Sequence, residues 1–148
     1  MRQAGLFLVV YLLFLVQAGI GAPAPDLAFV TIVVVALHEL PVVAVLLAGF
    51  LGICFDSLVV EAVGLHTAAF ALIAHAVASV RRYIYRVAWA TPLIVILALG
   101  VRWSIRLLSS PALPAPLDAA VSLALSLAFI PLADWFVARV VFAGWKPD

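Results

Sequence analysis

Charged residues are scarce in this sequence of 148 residues, of which only 10% are Asp, Glu, Lys or Arg. Hydrophobic residues make up 68%, and the mean hydropathy is +1.33. A soluble domain is nearer to half apolar, so this composition excludes an ordinary soluble fold and indicates a membrane protein with several spans. At roughly 25 residues for a span with its turn, the chain has room for five or six helices and none for a nucleotide-binding domain.

Cysteine is nearly absent as well. The one cysteine, Cys54, lies inside an apolar run, which excludes an intrachain disulfide and predicts a small buried hydrophobic residue. His38-Glu39 is not a His-Glu-x-x-His zinc motif, because position 42 is Val42. The sequence shows no Ser/His/Asp arrangement, phosphate-binding glycine loop or nucleic-acid patch. We therefore expect no enzyme activity, no cofactor, no metal and no nucleic-acid partner.

Long apolar runs predict six helices. They cover residues 4–22, 27–38, 42–55, 65–80, 87–108 and 117–142, and together they make residues 1–148 a single transmembrane domain. The first run also has features of a secretory signal, a basic start and an apolar core, but we interpret it as an uncleaved span. Prolines separate the runs at positions 23 and 25 and in the loop 109–116.

Residues 27–55 allow two interpretations, either two short helices with a turn at 38–41 or one long helix kinked near Pro41. The positive-inside rule favours the first, because merging the pair would move the arginines at 81–86 to the outer side. With six spans, both termini lie in the cytoplasm. The basic residues expected inside are then Arg2, Arg81, Arg82, Arg86, Arg139 and Lys146, and those near the outer side are Arg102 and Arg106.

The third span has mostly small residues at every fourth position, which places them on one face of the helix. They are Ala44, Ala48, Gly52 and Asp56. Such a face allows close approach of another helix, either from this chain or from a partner protein. Similar small and polar stripes occur in the fourth and sixth spans, and we expect them to point inward or to line a ligand cavity. Their members are Thr67, Ala71, His75 and Ser79, then Asp118, Ser122 and Ser126.

Two acidic residues, Asp56 and Glu61, are predicted at the outer end of the third and fourth spans. We expect Asp56 to cap the turn or to accept hydrogen bonds from backbone N–H groups of residues 58–65. Arg102 and Arg106 are candidate ion-pair partners for these acids. The alternative is direct contact of the acids with a partner protein.

Further ionisable residues lie at the expected cytoplasmic side. Asp134 lies inside the last span, where an ionisable side chain is a candidate functional group. We expect it to pair with a cytoplasmic arginine, and the alternative is proton transfer with a neighbour such as His75. The basic and aromatic segment with Arg81, Arg82 and Arg86 predicts either anchoring to anionic lipids or docking of a cytoplasmic protein.

The order Gly49-Phe50-Leu51-Gly52 to Asp56, then Gly64-Leu65, then Arg81-Arg82 resembles the MreD family of bacterial rod shape-determining membrane proteins. The step Pro25-Asp26-Leu27 is also similar, and the match is clearest over residues 23–86. Ile53 departs from the usual leucine, and residues 61–63 replace a loop that often carries glycine and proline. The family motif falls on Gly49, Gly52, Asp56 and Gly64, and the resemblance implies that none of them is catalytic. We assign these residues, together with Ala44 and Ala48 of the small-residue stripe, to a partner-binding helix face.

The resemblance implies a non-enzymatic scaffold of the cell-elongation (rod) complex in the bacterial inner membrane. Such proteins bind MreC and, through it or directly, the RodA glycosyltransferase, its transpeptidase partner and the MreB filament, and help to control peptidoglycan synthesis. The family is also similar in fold, an all-α bundle of about six helices, to the substrate-binding subunits of energy-coupling-factor vitamin transporters. A small-molecule binding subunit of a transporter is therefore the alternative function.

Overall fold

The computed structural model describes residues 2–20, 25–58, 64–84, 90–109 and 116–142. These residues form six α-helices and no strand, which confirms the all-α prediction. The bounds lie within four residues of those predicted from the apolar runs. The helices are α1 (Arg2–Ile20), α2 (Leu27–His38), α3 (Pro41–Asp56), α4 (Leu65–Ile84), α5 (Ala90–Ser109) and α6 (Pro116–Phe142).

Two of the helices contain segments that are long and apolar enough to cross a membrane, Gln3–Ile20 in α1 and Leu117–Arg139 in α6. The apolar segments of the other helices are shorter. The shortest is α2, with 12 residues. At about 1.5 Å per residue it is roughly 18 Å long, compared with about 30 Å for the hydrocarbon layer of a bilayer.

Helix α2 lies at the centre of the bundle. Residues 28–37 are all buried, and α2 contacts each of the other five helices. A helix that is surrounded on every side must be apolar on every side, which explains why its sequence shows no polar stripe. Thr31 fits this environment because its Oγ1 donates a hydrogen bond to the carbonyl of Leu27, at 2.9 Å.

The junction between α2 and α3 is set by Pro41. Leu40 has an extended backbone, with φ −61° and ψ 141°, because the ring of a following proline disfavours the helical region. Pro41 then occupies the first turn of α3, where the backbone N–H that proline lacks would have no acceptor within the helix. Residues 27–56 are therefore two separate short helices, as the positions of the arginines indicated, and not one kinked helix.

Helices α3 and α4 form the most closely packed pair. Gly52 makes this approach possible, because a Cβ atom at that position would lie 2.3 Å from Cα of Thr67 and 2.6 Å from its backbone nitrogen. Ala44 and Ala48, on the same face of α3, are fully buried. The small-residue face of α3 is thus used within the chain, and in the membrane such close backbone contact supplies dispersion energy that large side chains would prevent.

Candidate functional site

Three groups of polar side chains join the helices. The first, which we call the Asp56 hub, consists of Asp56 at the end of α3, Gly64 just before α4, and His66 and Thr67 in the first turn of α4. Asp56 Oδ2 accepts hydrogen bonds from the backbone N–H of Gly64 (3.0 Å) and from the N–H and hydroxyl of Thr67 (3.1 and 2.6 Å). Asp56 Oδ1 accepts from the backbone N–H of His66 and lies 3.0 Å from its Nδ1. One buried carboxylate therefore caps the amino terminus of α4.

The chain geometry before α4 allows this capping. Gly64 has φ of +85°, in the left-handed region that residues with a Cβ atom rarely adopt. This conformation directs the N–H of Gly64 and the first N–H groups of α4 toward Asp56, and a carboxylate is favoured there because a helix amino terminus carries partial positive charge. The predicted capping role of Asp56 is confirmed, and its donors extend past residue 65 to His66 and Thr67.

The second group, the Asp26 cluster, lies at the amino terminus of α2. Gln17 Nε2 donates to Asp26 Oδ1 at 3.0 Å, and the guanidinium of Arg102 forms an ion pair with the same carboxylate. The backbone N–H of Asp26 donates to Oγ of Ser126 at 2.9 Å, and this hydroxyl donates to the carbonyl of Ser122 at 2.7 Å. The cluster connects α1, α2, α5 and α6 through one aspartate.

Aromatic rings surround the charge of Arg102. The guanidinium carbon lies 4.8 Å from the ring centre of Phe55, 5.3 Å from that of Phe29 and 5.5 Å from that of Phe70. Only 12% of the Arg102 side chain is exposed. Ring faces attract a cation, so this cage partly replaces the water that the guanidinium loses on burial. Phe55 also stacks on His66, with ring centres 6.0 Å apart, which links the Asp26 cluster to the Asp56 hub.

The third group, the His38 cluster, lies at the opposite end of α2. His38 Nε2 and Asp134 Oδ1 are 2.7 Å apart, which joins α2 to α6. The guanidinium of Arg81 in α4 donates to the backbone carbonyl of Glu39, whose side chain is buried. Both ends of the short central helix are therefore held by ionisable groups from neighbouring helices.

The structure changes two of the expected pairings. Arg102 pairs with Asp26 and not with Asp56, which already has five donors from α4 and its preceding turn. Asp134 pairs with His38, and among the described residues it forms no ion pair with an arginine. His75, the alternative partner for proton transfer, is exposed and forms no side-chain hydrogen bond with the described residues. Sequence reasoning missed Gln17, Asp26, His38 and His66 as members of these groups.

The expected inward orientation of the polar stripes is correct for part of each stripe. In α6, Ser122 and Ser126 are buried. In α4, Thr67 reaches inward to Asp56, but His75 and Ser79 are exposed on the outer surface, so the prediction was wrong for those two residues. The reason is that α4 directs its other face, with the buried Phe70 and Ala74, toward α2 and α3.

The predicted partner face is also corrected for its buried members. Ala44, Ala48, Gly52 and Asp56 are buried against neighbours within the chain, so a partner helix has no access to them. Gly49 is different, because it is partly exposed and a Cβ atom there would meet open space. Other predicted residues lie outside the described part of the chain: Glu61, Arg86 and Lys146, and the side chains of Arg82 and Arg106.

A groove of about 300 Å³ opens between α5 and α6. Its lining is almost entirely apolar, from Ile96, Leu99, Gly100, Trp103, Ala119, Ala120 and Leu123. Binding of a polar metabolite needs several convergent polar groups, which this groove lacks. Among the described residues, no three side chains of His, Cys, Asp or Glu are grouped as a metal site would require.

These features define the class of protein: an all-helical bundle with apolar helices whose interior ionisable groups are paired, as in integral membrane proteins. Residues 2–136 match the family model of the rod shape-determining protein MreD, and the chain belongs to the MreD family. MreD is a membrane protein family with a role in rod shape determination. Neither a curated protein nor a solved structure matches the chain, so the similarity to vitamin-transporter subunits stays a prediction.

Proposed function

We propose that this chain is a non-enzymatic scaffold of the cell-elongation complex in the bacterial inner membrane and that it binds MreC. Membership of the MreD family over residues 2–136 is the observation that carries the proposal. Three internally bonded polar groups support it, since they would give the bundle one rigid shape on which a partner can dock. Through MreC or directly, the chain would act on RodA, its transpeptidase partner and MreB, and thereby on peptidoglycan synthesis.

The outer face of α3 is the surface that we propose for the helix of MreC. Val42, Leu46, Gly49 and Ile53 follow one another at helical spacing, and Val42, Leu46 and Ile53 have about 60% or more of their surface exposed. Gly49 lies in the middle of this stripe with open space above it. A transmembrane helix packs closely where a small residue lies between larger apolar ones.

Co-purification with co-expressed MreC tests the proposal. The variant Gly49→Leu places a large side chain on the outer face of α3, where a Cβ atom meets open space, so we expect it to lose MreC while remaining folded. Gly100→Leu is the matched control, because Gly100 is also a helical glycine with open space beside it, but on α5. The control should retain MreC.

Cysteine crosslinking in membranes locates the contact. With Cys54→Ala as background, Leu46→Cys and Ile53→Cys should crosslink to MreC, whereas Leu8→Cys on α1 should not. A complex that forms without crosslinks from α3 would contradict the proposed surface but would remain consistent with the scaffold function. Absence of any complex, together with thermal stabilisation by a vitamin, would contradict the scaffold function and favour the transporter subunit.

We also propose that all six helices cross the membrane and that both termini are cytoplasmic. The placement puts the Asp56 hub and the Asp26 cluster at the outer side and the His38 cluster at the inner side. Labelling of single cysteines in intact cells tests it. A membrane-impermeant reagent should reach Ser57→Cys and not Leu40→Cys, both of which replace exposed residues at helix ends. The reverse pattern would contradict the orientation.

A further inference from the structure

The exposed side of α4 differs from that of α1. We call it the α4 outer face and define it by five exposed residues at helical spacing, Ala68, Leu72, His75, Ala76 and Ser79. On α1, by contrast, the outward residues include Leu8, Leu12, Leu15 and Val16. Large aliphatic side chains suit contact with lipid, whereas the α4 outer face combines small and polar side chains.

His75 is the central residue of this face. It lies ten residues after the start of α4 at Leu65, which is about 15 Å along the helix and near its middle. If α4 crosses the membrane, as we propose above, this imidazole faces hydrocarbon in the isolated chain. Ionisable and polar side chains at that depth are rare and are almost always covered by a partner. The imidazole makes no hydrogen bond with any described residue of this chain, which leaves it available to a partner from another chain.

The α4 outer face is complementary to itself in hydrogen bonding. The hydroxyl of Ser79 donates to the backbone carbonyl of His75 at 2.8 Å, so its proton is already used and its oxygen can still accept. A neutral imidazole has an N–H donor to offer. Two parallel α4 helices related by a two-fold axis would bring His75 of each copy to Ser79 of the other, which forms the same hydrogen bond twice.

We infer that the α4 outer face binds a second copy of this chain. The two-fold axis runs along the membrane normal, since both copies insert in the same direction. The alanines at 68 and 76 allow the backbones to approach as small residues do in other transmembrane dimers, and Leu72 packs beside the axis. The inference rests on the membrane placement of α4 and not on the binding of MreC, which is assigned to the outer face of α3.

Disulfide crosslinking of the chain expressed without MreC tests the inference. In the Cys54→Ala background, Ala68→Cys, Leu72→Cys and Ala76→Cys should give a dimer on oxidation in native membranes, because a disulfide needs Cα atoms about 4.4–6.8 Å apart. Leu8→Cys and Leu12→Cys on α1 should remain monomeric. Equal crosslinking from both helices, or none from α4, would overturn the proposal.

Two further variants separate hydrogen bonding from simple proximity. In the Ala76→Cys protein, His75→Leu should reduce the dimer-to-monomer ratio about ninefold, since each membrane hydrogen bond contributes roughly threefold and the symmetric pair contributes two such bonds. Ser79→Ala should act in the same direction. Ser104→Ala is the matched control, because Ser104 is also exposed and its hydroxyl also donates to the carbonyl four residues earlier, at 2.9 Å.

The same variants distinguish this inference from the proposed function. A dimer that forms through α4 while MreC fails to co-purify would support the inference and contradict the scaffold function. If co-expressed MreC, and not a second copy, is crosslinked at positions 68, 72 and 76, the dimer is overturned and the α4 outer face becomes the MreC surface. An unchanged dimer in His75→Leu would also overturn the hydrogen-bonded interface.

Discussion

Asp56 and His66 are joined by two contacts at one carboxylate oxygen: the backbone nitrogen and Nδ1 of His66 both lie 3.0 Å from Asp56 Oδ1. Because an ionised carboxylate can only accept hydrogen bonds, Nδ1 carries the proton in this arrangement. The imidazole is thereby held against Phe55, which in turn lies beside Arg102. The turn between α3 and α4 and the buried charge of α5 are thus parts of one connected structure.

The first prediction concerns the five hydrogen bonds of Asp56. Asp56→Asn keeps the size of the side chain but replaces one accepting oxygen with an NH₂ group. That group is itself a donor, so it cannot accept the hydrogen bonds of the N–H and O–H groups around it. We expect the free energy of unfolding to fall by about 3 kcal/mol, since buried donors are left without acceptors. Thermal unfolding in detergent micelles measures the change. Ser57→Ala is the control, because its exposed hydroxyl donates only to the carbonyl of Cys54. Equal stability of Asp56→Asn and this control would contradict the role of the hub.

The second prediction compares two glycines of α3. Gly52→Ala should destabilise the protein by about 2 kcal/mol or more, because the new methyl group meets the backbone of Thr67 and α4 has to move away. Gly49→Ala meets open space and should be neutral or stabilise by up to about 1 kcal/mol, since alanine is the better helix former. The measurement is the midpoint of thermal unfolding of each variant, compared with that of the natural protein. Similar midpoints would show that α3 and α4 do not pack as closely as described.

The third prediction concerns the ion pair of Asp26 and Arg102. Removing one partner leaves a buried charge without compensation, so Asp26→Asn and Arg102→Met should each cost about 3–5 kcal/mol of stability. The double variant should cost clearly less than the sum, because no charge is left behind. The double-mutant cycle is completed by measuring the unfolding of the natural protein, the two single variants and the double variant in the same detergent. Additive losses would indicate that the two side chains do not interact.

Arg102→Lys adds a test of the aromatic cage. Lysine keeps the charge but cannot stack a flat guanidinium on rings such as Phe29, Phe55 and Phe70. We expect a stability between those of the natural protein and Arg102→Met. Full stability of Arg102→Lys would show that the charge alone is sufficient.

The fourth prediction concerns His38 and Asp134. The pair joins the end of the central helix to α6, and about half of the Asp134 side chain is exposed, so its contribution is smaller than that of the buried Arg102 pair. His38→Ala and Asp134→Asn should each lower the stability by about 1–2 kcal/mol, with a coupling of about 1 kcal/mol in the double variant. Asp118→Asn serves as the control on the same helix, because Asp118 lies near the other end of α6. A coupling near zero would contradict the contact.

The sequence was informative where a pattern has a local cause. The bounds of the helices follow from apolar runs interrupted by proline, and Pro41 alone separates α2 from α3. The capping by Asp56 also has a local origin, since the carboxylate and its donors are about ten residues apart along the chain. The order of glycines and acidic residue around this turn resembles MreD, and the family match confirms that assignment.

Contacts between distant residues were beyond the reach of sequence patterns. Asp26 lies 100 residues from Ser126, and His38 lies 96 residues from Asp134. The proposed topology of six spans would place His38 and the second half of α6 at the same side of the membrane, which is the one signal that could have suggested their pairing. It could not choose between His38 and a nearby arginine, because several basic residues share that side.

The sequence by itself determined that this chain is a helical membrane protein of the MreD family, because composition, helix breaks and short motifs are properties of neighbouring residues. Only the tertiary structure decided that α2 is central, that Arg102 pairs with Asp26, and that Gly52 faces inward while His75 faces outward. A helical stripe of small or polar residues indicates that something packs closely there. Which helix packs there depends on how all six fit together, and periodicity within one helix contains no information about that.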